Sequence, residues 1–203
     1  MAVITSLTTL NTAIADYLAR DDLTSYISNF IQNCENKVGR TLNLRNEETA
    51  LSVAISSGLA TVPADFKALK FAYYSATPVQ LLQWLPLEDI YRKYPNRSDT
   101  STVPGYISRE AASFIFGPVA ADGTLKGVYY AKQDPLRTTN PSWYVTNAPE
   151  VLLYGSLLEA APFMHGDERI PVWQQLFKDA LDTLREEEKN SATSKGQLIQ
   201  RAS

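Results

Sequence analysis

Few residues in this 203-residue chain are equipped for catalysis, because it holds one cysteine and one histidine. A single Cys forms no intramolecular disulfide, and one Cys with one His supplies no Cys/His zinc cluster within one chain. Cys34 falls in an apolar helical stripe and reads as a small buried thiol. His165 lies in the turn Met164-His165-Gly166-Asp167 and reads as a surface histidine. The acidic clusters Glu47-Glu48, Glu88-Asp89 and Glu186-Glu187-Glu188 fall at the ends of elements, where they read as solvated charge. General acid and base chemistry would need two carboxylates in one pocket, which their spacing does not indicate. The nine glycines are scattered singly, without a Gly-x-Gly-x-x-Gly or a Gly-x-x-x-x-Gly-Lys-Ser/Thr loop. Neither Gly-x-Ser-x-Gly nor His-Glu-x-x-His occurs. These readings call for no catalytic residue, no metal and no cofactor, and point away from an enzyme. An enzyme on a polymer such as cell-wall glycan would require clustered carboxylates in a groove.

Aromatic side chains are the positive signal: eleven Tyr, seven Phe and three Trp, with adjacent pairs at Tyr73-Tyr74, Tyr129-Tyr130 and Trp143-Tyr144. On a strand, one ring of each pair fills the core while its neighbour stays partly exposed. The outward rings, Trp143 and Tyr144 above all, are candidate protein-interface anchors, where aromatic residues are enriched. Stacking of single-stranded nucleic acid is disfavoured by the lack of accompanying basic charge. Lys and Arg number 19 against 22 Asp and Glu, for a net charge of -3. No global positive field exists to hold a nucleic-acid backbone.

The elements that carry these residues read as helix-helix, strands, helix-helix. Leu7, Leu10, Ile14, Tyr17 and Leu18 recur at helical spacing behind a Thr5 or Ser6 cap, and a second helix runs from about Leu23 to a stop at Gly39. From Leu44 the period becomes strand-like: Leu51, Val53 and Ile55 alternate, and Ser56-Ser57-Gly58 turns the chain into Leu59 to Val62. Ala68 to Tyr74, Val79 to Leu85, Tyr106 to Ser108, Ser113 to Phe116 and Thr124 to Lys132 continue the strands. A short helix from Leu87 to Tyr94 interrupts them, followed by an exposed polar loop from Pro95 to Gly105. Asn147 with Glu150 resembles a capping box for the third helix, which Pro162 ends. The last helix, to Lys189, places Trp173, Leu176, Phe177, Ala180, Leu181 and Leu184 on one face.

The expected fold class is α+β, a helical bundle from the N- and C-terminal helices with an inserted antiparallel β lobe and an extended C-terminal tail. The expected boundaries are residues 1–43 and 136–189 for the bundle, 44–135 for the lobe and 190–203 for the tail. The tail cannot bury enough apolar surface to offset about 1 to 2 kcal/mol of backbone entropy per residue, so it is expected to be ordered only by a partner. The N-terminus lacks a secretory-signal pattern, and Val151 to Met164, the longest apolar stretch, contains Glu159 and falls short of the about 20 residues of a membrane span. The chain is expected to be soluble and made in a reducing compartment.

Leu152-Leu153-Tyr154-Gly155-Ser156-Leu157-Leu158-Glu159-Ala160-Ala161-Pro162-Phe163, followed by Asp167-Glu168-Arg169, Trp173, Phe177 and Ala180, resembles the head-tail adaptor (connector) proteins of short-tailed bacteriophages. Val62-Pro63-Ala64-Asp65-Phe66, Val128-Tyr129-Tyr130-Ala131 and Asn140-Pro141-Ser142-Trp143 agree with it, whereas Pro171 is a departure near the start of the last helix. The resemblance implies a non-catalytic virion part made in the host cytoplasm. It would form a homo-oligomeric ring of about twelve copies below the portal protein, closed by heterologous contacts. Such a ring extends the DNA channel and offers a platform to tail nozzle or fibre proteins; DNA passes without specific binding, and no membrane is involved. On this reading the tail docks to the portal, with Leu198 and Ile199 as apolar anchors and Arg201 as a charged contact. The alternative is a stand-alone soluble protein-binding module without a ring.

Overall fold

The computed structural model describes residues 3–97, 103–164 and 166–192. Among them are six α-helices: α1 (Leu7–Leu18), α2 (Ile27–Thr41), α3 (Leu87–Lys93), α4 (Trp143–Asn147), α5 (Pro149–Ala160) and α6 (Ile170–Ala192). Seven strands accompany them: β1 (Glu48–Ser56), β2 (Leu59–Thr61), β3 (Phe66–Tyr74), β4 (Gln80–Trp84), β5 (Tyr106–Glu110), β6 (Ser113–Gly117) and β7 (Gly123–Ala131). The chain divides into two compact units, Met1–Asn46 with Gln133–Ser203, and Glu47–Lys132.

In the first unit α1 starts at Ser6, whose hydroxyl accepts from the Thr9 backbone N–H while the Thr9 hydroxyl accepts from the Ser6 N–H. Two of the N–H groups a helix start leaves unpaired are thereby satisfied. The stripe Ile27, Phe30, Ile31, Cys34 and Val38 of α2 is buried, as its spacing predicts. The predicted stop at Gly39 is corrected: the helix continues to Thr41, and Leu42 still donates to the Val38 carbonyl. The predicted cap at Asn147 is corrected too. Asn147 ends the short helix α4 and donates through Nδ2 to the Trp143 carbonyl, while α5 starts at Pro149, the position where a missing N–H costs nothing. Helix α5 is buried along most of its circumference and packs against α1, α2 and α6. It ends at Ala160, and a 3-10 turn carries Pro162. On α6, Trp173, Ala180 and Leu184 are buried with Phe177 and Leu181 packed beside them, but Leu176, predicted for the same face, is exposed.

The second unit overturns the expected fold class. Its strands form a closed barrel in the order β1-β2-β6-β5-β4-β3-β7, with β7 returning to β1, rather than an antiparallel lobe inserted in a helical bundle. Closure follows from β7, which pairs along its length with β1 on one edge and β3 on the other. A closed sheet leaves no row of unpaired backbone groups at an edge. Nor is the sheet wholly antiparallel: β4 and β5 run parallel, joined by the long connection through α3 that a parallel pair requires. The β1–β2 hairpin turns on Ser57 and Gly58, both with positive φ (53° and 75°), the conformation that matches the twist of a two-residue hairpin. Inside the barrel, Phe66 packs edge-on to Phe114 (5.3 Å) and stacks on Tyr129 (5.7 Å), with Leu51, Ile55, Tyr74, Ile107, Phe116 and Leu125 around them.

Candidate interaction surfaces

Cys34 and Glu35 have places in the packing of the helical unit. Cys34 is buried, its thiol 3.6 Å from the Val151 carbonyl of α5, and burial, aided by the carboxylates of Glu159 and Glu35, pushes its pKa up to about 12. Burial thus holds this thiol in its protonated form, the poorer nucleophile. Glu35, raised by burial, accepts from the Leu136 backbone N–H at 3.0 Å. His165 lies outside the described residues. Among those described, no group of three or more His, Cys, Asp or Glu is gathered to hold a metal ion, and no helix is long and apolar enough to cross a membrane.

The acidic pair Glu47-Glu48 departs from its predicted solvated state. Glu47 is 1% exposed and bonded to Lys67 at 2.6 Å, and Glu48 pairs with Lys70 at 2.5 Å. A buried carboxylate is tolerable only with such a partner. Asp65, in the Pro63-Ala64-Asp65-Phe66 segment, accepts from the Tyr129 hydroxyl at 3.0 Å while its carbonyl accepts from Lys132 N–H. In the other unit Asp167 accepts from the Arg169 guanidinium, which holds the Asp167 pKa down to about 2. Arg169 also donates to the Tyr17 carbonyl in the last turn of α1 (2.7 Å), where a cation suits the helix end. Asn140 accepts from Leu7 N–H at the start of the same helix. Motif residues from distant parts of the sequence therefore act as fasteners.

The paired aromatics split by face. Tyr74 and Tyr129 point into the barrel, while Tyr73 and Tyr130 are half-buried on its outer wall. Of the two predicted interface aromatics, Tyr144 is 3% exposed in the helical core and Trp143 is half-buried, set edge-on to it at 5.5 Å. Only Trp143 retains surface for a partner. The predicted portal contacts Leu198, Ile199 and Arg201 lie outside the described residues, as does the middle of the loop from Pro95 to Gly105, at 98–102. At the start of that loop Arg97 donates to the Phe116 carbonyl (2.6 Å) and lies over the Tyr91 ring, and the Tyr91 hydroxyl donates to Glu110.

Sequence reasoning missed an apolar exposure on the barrel. Phe71, Tyr73 and Leu81 lie on the outer wall of β3 and β4, with Phe71 stacked on Tyr73 at 6.4 Å, Leu81 66% exposed and exposed Val79 just before β4. The signal was present in the alternation of Phe71-Ala72-Tyr73-Tyr74, which puts large apolar side chains on both faces. Patches of this kind mark interaction surfaces in soluble proteins.

A comparison with family profiles matches residues 5–200 to the family described as SU10 adaptor protein. A comparison with curated proteins finds no match.

Proposed function

The chain belongs to the SU10 adaptor protein family, whose members are phage structural proteins, and from that premise we propose that it is a head-tail adaptor acting by assembly rather than by chemistry. In this proposal its copies close a ring of about twelve below the portal through heterologous contacts, extending the channel through which DNA passes without specific binding. The tail beyond α6 docks to the portal through Leu198, Ile199 and Arg201, and the barrel loops around Pro95 to Gly105, with Trp143 on the helical unit, meet nozzle or fibre proteins. The single observation that carries the reading is the family match along nearly the whole chain. The net charge of -3 supports it, because repeated acidic subunits repel a sliding polyanion.

Removal of residues 193–203 tests the portal contact. Truncation after Ala192 keeps all of α6 and is expected to leave the unfolding midpoint unchanged while abolishing co-sedimentation with portal rings. Undiminished docking of the truncated chain would assign the portal contact elsewhere. Mass measurement of the full chain with and without portal separates a ring-former from a stand-alone binding module.

A further inference from the structure

We propose that the partner of the exposed barrel wall is α6 of a neighbouring copy, laid across β4, β3 and β7. This rests on the ring reading above and names the two faces that would meet. On the wall, Leu81, Tyr73 and Lys126 stand in one row, because Leu81 pairs with Tyr73 and Tyr73 with Lys126 in the strand register. The apolar Phe71 and half-buried Val128 form the next row, also directly paired. Lys126 is the cation of this apolar field, and no ion pair engages it among the described residues, whereas nearby Lys70 is held by Glu48.

Helix α6 carries the complementary series along the flank of its buried face. Val172 and Leu176 are exposed aliphatic side chains one turn apart, and Asp179 follows three residues on. Asp179 accepts from Gln175 at 2.7 Å, and no cation pairs with it among the described residues. The spacings agree. Strands lie about 4.8 Å apart, so Leu81 to Lys126 spans about 10 Å. A helix rises about 1.5 Å per residue, so Val172 to Asp179 spans about 10 Å. With Val172 over Leu81 and Leu176 over Tyr73, the Asp179 carboxylate falls at Lys126. Leu81 and Val172 are each more than half exposed. Joining two different faces is the heterologous geometry a ring requires.

The experiment uses two pools of full-length protein, one carrying Leu81→Cys and one Val172→Cys, mixed before assembly and treated with a bismaleimide of about 10 Å reach, comparable to the helix diameter. Cys34 is buried and does not compete. The expected product is a covalent dimer in the mixture and none in either pool alone. Lys126→Glu and Asp179→Lys are each expected to weaken copy-to-copy association about tenfold by sedimentation, and the double variant to restore it, with all unfolding midpoints alike. A ring seen by sedimentation, alone or on portal-bearing heads, without the cross-link and indifferent to both charge changes, would overturn this pairing and leave the ring reading standing. A monomer under both conditions would overturn both. A cross-link from Leu81→Cys to another virion chain would give the wall to that chain instead.

Discussion

Arg169 is the residue whose surroundings make the sharpest pH statement. Its guanidinium donates to both Asp167 oxygens and holds the folded-state pKa of Asp167 down to about 2, below the about 3.9 of an unfolded aspartate. For a group with a depressed pKa, the stabilising contribution is complete above the unfolded value and lost as pH falls through the folded one. The stability gap between the native protein and Asp167→Asn is therefore expected to be constant from pH 7 to about 5, and to close between about pH 4 and 2. Thermal unfolding of both proteins across that range measures it, and a gap that persists at pH 2 would mean the carboxylate matters for its shape rather than its charge. Cys34 makes an opposite case. With its pKa at about 12 and its sulfur enclosed, it is expected to resist iodoacetamide at pH 8 until the protein unfolds. Labelling as fast as that of a free thiol in native buffer would contradict its burial. Both roles were half visible in the sequence: the stripe around Cys34 foretold burial, but nothing in Asp167-Glu168-Arg169 told that the arginine would reach Tyr17, 152 residues away.

Among the elements, the contact between α2 and α5 depends on Gly155. A Cβ there would collide with the Cys34 sulfur and approach the Phe177 ring to 2.8 Å, so the absence of a side chain lets α2, α5 and α6 approach closely. Gly155→Ala is expected to destabilise by about 1 to 3 kcal/mol through overpacking, read from the denaturant midpoint. Adding Cys34→Ala should recover part of that loss, since it removes the nearer obstacle; additive losses would place the strain at Phe177 alone. Local signals of this kind were largely legible. Helical spacing located α1, α2, α5 and α6, and alternation located the strands, because each pattern is fixed by nearest neighbours. What failed were the ends and the pairings. Gly39 looked like a stop and Asn147 like a cap, yet the first lies within a helix whose last turn still bonds, and the second closes the preceding one. Barrel closure rests on β7 pairing with β1, whose partners Glu48 and Tyr130 are distant in sequence, and no local pattern encodes that.

For the whole molecule, that same closure makes the barrel a candidate for independent folding. Its chain enters beside the place where it leaves: Glu48 is paired directly with Tyr130, and Glu47 and Lys132 bound the unit. Its hydrophobic cluster, among the described residues, runs from Leu51 to Ala131 within the unit, and its buried carboxylate Glu47 is paired through Oε2 with Lys67 of the same unit. A segment that closes its own sheet, fills its own core and pairs its own buried charge meets the requirements of an autonomous domain. The fragment 47–132 is therefore expected to be a folded monomer with a single cooperative thermal transition, and to keep amide protection along β1, β3 and β7. Lys67→Met in that fragment should lower the transition, because it removes the cation paired with the buried Glu47 carboxylate; Glu47→Gln in addition should recover much of the loss. A fragment that is unfolded or that folds only when the helical unit is supplied would show that the barrel borrows stability from outside it.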